Sequence, residues 1–88
     1  MEKNKSIYLG DVLKKIRMDN KETQVQVANR GKSIQSFISK IENHLREINI
    51  SDLYTIEKCY NIKIKILIEN SKGKIIAESS GEYDNIKE

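Results

Sequence analysis

After Tyr60 the spacing of apolar residues changes from three and four to two. From Tyr8 onward, Leu9, Val12, Leu13 and Ile16 recur at the period of a helix. Phe37, Ile38 and Ile41 do the same, and so do Ile50, Leu53, Ile56 and Tyr60. In "IKIKILIEN", by contrast, Ile62, Ile64, Ile66 and Ile68 alternate with Lys63, Lys65 and Leu67. That alternation and the β-branched side chains predict a half-buried strand. A chain of 88 residues with one such switch is a single mainly helical domain followed by a strand or hairpin.

Local signals divide the helical part. Ser6 can cap the first helix, which ends near Asp19, with Asn20 tolerating a left-handed backbone. Thr23 reads as the cap of a second helix, opened by Gln24 and carrying Val25, Val27 and Ala28 on its apolar side. Gly31 ends that helix as the natural left-handed residue. Ser33 is expected to cap a third helix over 33–43, closed by Asn43 or His44. A connection over 44–49 leads to Asn49, the cap of a fourth helix with Asp52 in its first turn. "NSKG" (Asn70–Gly73) is turn chemistry, and "KIIAES" offers a second strand. The expected divisions are a disordered 1–5, a helix-turn-helix domain over 6–61, a strand or hairpin over 62–79 and a flexible tail over 80–88.

A hairpin is marginal alone, so Ile62, Ile64, Ile66 and Ile68 are expected to form a dimerisation element. A hairpin folded over its own helices is the alternative. Residues 1–50 hold ten Lys/Arg against six Asp/Glu, a balance of +4; residues 51–88 hold six against seven, a balance of −1. The first half is therefore the candidate anion-binding half, although solvation by abundant Lys explains the charge equally well.

The composition speaks against other classes. No apolar run reaches the roughly 18 residues of a membrane span, and 1–11 has no signal-peptide core, so a cytoplasmic location without membrane association is expected. Cys59 and His44 are each single in the chain and suggest no metal site; no cofactor is expected. Catalytic motifs are absent, and the four glycines are dispersed, so no enzyme is expected.

The pair of short helices fits a helix-turn-helix, with small Ala28 where the helices must touch. Residues 9–62 resemble the Cro/lambda-repressor-like helix-turn-helix family, also called the xenobiotic-response-element family. The resemblance rests on "LGDVLKKIR" (9–17), "TQVQVA" (23–28), "SFISKIEN" (36–43) and "INISDLYTIEKCYNI" (48–62). It implies a lambda-repressor-like fold of four to five helices, a homodimer and a transcriptional repressor bound to a palindromic operator in double-stranded DNA. It places the third helix in the major groove, with Gln35, Ser36, Ser39 and Lys40 reading bases. By the same resemblance Gln24, Thr23, Lys32, Ser33, Asn43 and Arg46 hold phosphates, and Arg17 and Glu42 form a structural ion pair. Phe37 is expected in the core or at its rim, with a thymine methyl contact as the alternative. This chain departs from the family at Lys21 and His44, where Gly is common, at Glu22, where Leu is common, and at Ile34, which stands at the usual cap position. A helix-turn-helix followed by a strand and a tail (Gly81–Glu88) also resembles the antitoxin of high-persistence toxin–antitoxin pairs. That likeness implies a toxin protein partner and autoregulation of the operon.

Overall fold

The structure, a computed structural model, describes residues 9–80. The Ser6 cap, the expected disordered start (1–5) and the tail beyond Ser80 lie outside the described residues. Four helices come first: α1 (Leu9–Asp19), α2 (Gln24–Arg30), α3 (Gln35–Glu42) and α4 (Ile50–Tyr60). Two antiparallel strands follow, β1 (Lys65–Glu69) and β2 (Ile75–Ser80). The fold is the mainly helical one with a C-terminal hairpin that the change of period predicts.

The four helices enclose one core of Leu13, Val27, Ala28, Ile38, Ile41, Ile56, Cys59 and Tyr60. Leu9, Ile16, Phe37, Ile48 and Leu53 pack around it. Three residues expected on apolar faces, Val12, Val25 and Ile50, are exposed instead. Short helices present narrow buried stripes, and these residues fall beside them. Among the described residues, no helix is long and apolar enough to cross a membrane.

Thr23 and Asn49 cap their helices reciprocally. Thr23 Oγ1 accepts from the Gln26 amide at 3.1 Å while Gln26 Oε1 accepts from the Thr23 amide at 2.8 Å. Asn49 Oδ1 accepts from the Asp52 amide at 2.9 Å, and Asp52 Oδ2 accepts from the Asn49 amide at 3.0 Å.

The helix ends correct two expectations. Lys21, rather than Asn20, takes the left-handed conformation after α1, with φ 58°. Gly31 has φ −97°, and Lys32 is the left-handed residue, with φ 57°. His44 and Asn61 play the same part after α3 and α4. Each turn uses the same closure, in which the amide after the left-handed residue reaches back five positions. Glu22 donates to Arg17 O, Ser33 to Ala28 O, Leu45 to Lys40 O and Ile62 to Glu57 O. Gly31 is needed for closeness instead. A Cβ there would lie 2.3 Å from Cys59 Sγ and 3.0 Å from the Cys59 amide nitrogen.

The third helix starts later than expected. Ser33 is committed to the turn, so Ile34 becomes the N-cap and Gln35 the first helical residue. Ile34 offers no side-chain hydrogen bond to the helix and is 66% exposed.

In the hairpin, Asn70 and Lys74 close a turn at Ser71–Gly73, with Gly73 at φ 86°. Ile66 faces Ser79, Leu67 faces Glu78 and Ile68 faces Ala77. Strand β1 begins later than the alternation implies. Ile62 and Ile64, expected at a dimer interface, lie before β1, half-buried against the helical core of their own chain. Ser80, expected in the tail, is the last residue of β2.

Candidate nucleic-acid interface

Helix α3 has one buried side and one open side. Ile38, Ile41 and Glu42 face the core. Gln35, Ser36 and Lys40 are exposed, and Ser39 is half-buried beside them. Positions 35, 36, 39 and 40 lie on one face of a helix because residues four apart stack above each other. The four residues expected to read bases are thus brought together, although the helix that carries them spans 35–42.

What fixes this face is the buried carboxylate behind it. Glu42 receives hydrogen bonds from each of the other three helices. From α1, Arg17 Nε donates to Oε2 at 2.9 Å and Nη2 to Oε1 at 2.9 Å. From α2, Gln24 Nε2 donates to Oε1 at 3.2 Å. From α4, Tyr60 donates its hydroxyl to Oε2 at 2.7 Å. Burial pushes the Glu42 carboxyl up, but the hydrogen bonds from Arg17, Tyr60 and Gln24 outweigh it and hold the group below the usual carboxylate range. Burial, reinforced by the Glu42 carboxylate, pushes the Tyr60 hydroxyl well up. Arg17 also donates through Nη1 to the Glu22 carbonyl at 2.9 Å, tying down the turn before α2.

A second link runs from this hub to the surface. Gln24 Oε1 accepts from Gln35 Nε2 at 2.6 Å. Gln24 turns its amide nitrogen to Glu42 and its oxygen to Gln35, so the Gln35 amide must turn its own nitrogen inward. The Gln35 carbonyl oxygen is left for other partners.

The residues expected on phosphates divide into two groups. Thr23 and exposed Lys32 stand at the two ends of α2, and Asn43 caps the end of α3 while donating to Ser39 Oγ at 3.3 Å. Gln24 joins α2 to both Glu42 and Gln35. Ser33 is half-buried in the turn. Arg46, expected on a phosphate, also has a partner within the fold. It pairs with Asp52 at 2.9 Å and lies over the Phe37 ring, 5.0 Å from its centroid. Asp52 is buried at the start of α4, and its low-dielectric position calls for this cation. Burial pushes the Asp52 carboxyl up, yet Arg46 and the Asn49 amide bring it below its ordinary value. Phe37 is half-buried against the core, so it belongs to the rim.

Other polar groups serve the scaffold. Arg30 donates to the Cys59 carbonyl at 2.9 Å and pairs with Glu22, which gives the departure at position 22 a structural partner. His44 Nε2 lies 2.9 Å from Asp11 Oδ1. Cys59 is fully buried, and burial pushes its thiol up. Among the described residues no group of His, Cys, Asp and Glu is arranged to hold a metal ion.

Sequence reasoning missed Tyr60 as a polar partner, because its helical spacing marked it as apolar. The available signal was its hydroxyl: a buried tyrosine needs an acceptor, and a buried glutamate needs donors.

No protein-family model and no curated protein matches the chain. Solved structures do. The wild-type restriction-modification controller protein C.Esp1396I is 31% identical with a TM-score of 0.57, over 66% of this chain and 79% of that one. One single-substitution variant of that protein gives 32% identity and a TM-score of 0.57, over 67% and 78% of the two chains. Another gives 32% and 0.55, over 60% and 71%. With its four helices, its interrupted α2–α3 pair and its terminal hairpin, this chain belongs to the helix-turn-helix regulator family that includes the restriction-modification controller protein C.Esp1396I.

Proposed function

We propose that this protein is a sequence-specific transcriptional repressor that binds double-stranded DNA as a homodimer. Helix α3 of each copy enters the major groove of one half of a palindromic operator. The observation that carries this reading is the open face of α3, held against α2 by the Glu42–Gln24–Gln35 chain. Gln35 presents its carbonyl oxygen and one amide proton, a pattern suited to adenine N6 and N7. Lys40 supplies a donor for guanine O6 or N7, and Ser36 and Ser39 make short polar contacts. Thr23, Gln24, Lys32, Ser33 and Asn43 flank that face and set the phosphate register. Arg46 joins them through the guanidinium donors that Asp52 does not use, since the Asp52 pair engages only Nη2. The basic first half of the chain supplies the salt-sensitive part of the affinity.

Selection of bound sequences from a random DNA pool tests this reading. The expected product is a palindrome with half-sites about 34–36 Å apart, one helical turn. A pool with no enriched sequence overturns it. The antitoxin alternative adds a toxin partner, and the strands that follow the helix-turn-helix are the feature behind it. Stable co-purification with a toxin encoded beside it would be its signature.

A further inference from the structure

The hairpin leaves four large apolar side chains exposed across its two faces, Leu67, Ile68, Ile75 and Ile76, each between 40% and 49% accessible. Each strand of a two-stranded sheet also leaves one edge of backbone donors and acceptors open. The two edges are not equivalent. Strand β1 is regular from Lys65 to Glu69. Strand β2 is interrupted where the pairing shifts between Ile68 and Glu69, and Ile76 has no partner across the ladder. Such an irregularity bends and twists its strand and blunts its edge.

The Asn70 amide donates to the Lys74 carbonyl across the turn, so position 70 points its backbone at β2. Alternation along β1 then turns the backbone groups of Ile66 and Ile68 toward β2 as well. Lys65, Leu67 and Glu69 turn theirs to the open edge. The side chains of these three carry a pattern that is complementary to itself. Antiparallel pairing with a second copy about Leu67 sets Lys65 opposite Glu69, Glu69 opposite Lys65, and Ile66 opposite Ile68. Among the described residues, neither Lys65 nor Glu69 has an ion-pair partner within its own chain.

We propose that two copies of this chain join edge to edge through β1, antiparallel about a two-fold axis at Leu67, forming one four-stranded sheet. This inference rests on the homodimer of the proposed function and is independent of its DNA contacts. The pairing is isologous, as a two-fold dimer requires. It places opposite charges within cross-strand reach, roughly 4.5–5.5 Å between Cβ atoms. It also brings the apolar Ile66 and Ile68 of both copies onto one continuous face.

Charge reversal on the full-length chain tests the register, with the dimer dissociation constant measured by sedimentation equilibrium without DNA. Lys65→Glu alone, or Glu69→Lys alone, puts like charges opposite each other twice per dimer. Each is expected to weaken the dimer by about tenfold or more. The double variant Lys65→Glu/Glu69→Lys restores opposite signs and is expected to recover wild-type association within about threefold. These side chains are exposed, so the single variants are expected to keep the wild-type circular dichroism spectrum. The same cycle at Lys74 and Glu78, which would meet about Ile76 if β2 were the joining edge, is expected to leave the constant unchanged. A monomeric wild type, single reversals without effect, a double variant that stays weak, or a cycle found at Lys74/Glu78 instead overturns the proposal. Failure of the operator selection alongside a complete Lys65/Glu69 cycle would remove the DNA reading and leave this interface standing.

Discussion

Tyr60 of α4 donates its hydroxyl to Glu42 of α3 across the core, at 2.7 Å, with both side chains buried. The pair closes a network that would otherwise leave a carboxylate with donors from only two helices. Tyr60→Phe removes one bond to a charged acceptor and is expected to cost about 1.5–3 kcal/mol. Glu42→Gln also strips Arg17 of its counter-charge and is expected to cost more, about 3–5 kcal/mol. Urea denaturation of the two variants checks the order. A Glu42→Gln protein as stable as the wild type would show that the network sets register without contributing stability.

Acid should find the same weak point. Glu42 and Asp52 both have carboxyls held below their ordinary values in the folded protein. Each contributes stability that is fully present above the unfolded carboxylate pKa, about 4. That stability is lost as pH falls through the folded values. The thermal midpoint is therefore expected to be level near neutrality and to drop below about pH 4.5. In Glu42→Gln the drop should be shallower, because one of the two groups no longer titrates. Parallel acid profiles for variant and wild type would place the acid-sensitive groups elsewhere.

The helices were legible in the sequence because their signals are local. Thr23 and Asn49 satisfy amides within their own first turn, and the apolar period is carried by Leu13, Ile38, Ile41 and Ile56 themselves. The turn at 31–34 was not legible, because a glycine has two uses that a sequence does not separate. Gly31 looked like a left-handed residue, yet its missing Cβ makes room for Cys59, which is distant in the chain. The left-handed position then fell to Lys32, and the start of α3 moved from Ser33 to Gln35. The partners of Gln24 and Arg46 within the fold were hidden for a related reason. Each is polar and flexible, and its partner is chosen by the packing of other helices.

That turn can be improved by substitution. Gly31→Ala forces a Cβ against the Cys59 backbone and should destabilise the protein, with α2 and α4 pushed apart. Lys32→Gly relieves a left-handed non-glycine residue and should stabilise it by about 0.5–1 kcal/mol. Ile34→Ser gives α3 the side-chain cap it lacks and should add about 1 kcal/mol. Denaturation midpoints compare all three. A stabilised Gly31→Ala protein would contradict the close approach of Gly31 to Cys59.

The link from Glu42 through Gln24 to Gln35 makes a prediction about recognition rather than stability. Gln35→Ala removes, from an exposed position, a side chain proposed to read bases and should leave the fold intact. Its expected effect is a loss of operator affinity of about tenfold or more, since a good bidentate base contact carries about 1–3 kcal/mol of discrimination. Binding to random DNA should change little. Gln24→Ala leaves Gln35 in place but removes the acceptor that orients its amide. Operator affinity should fall here too, and preference at the base pair that Gln35 is proposed to read should relax, because either end of the free amide can then face the groove. Lys40→Ala should reduce specific binding and lower the salt dependence by about one phosphate-equivalent only if Lys40 also touches the backbone. Titrations of each variant on operator and on random DNA, at two salt concentrations, separate these effects. Equal losses on both DNAs for Gln35→Ala would move base reading away from the start of α3.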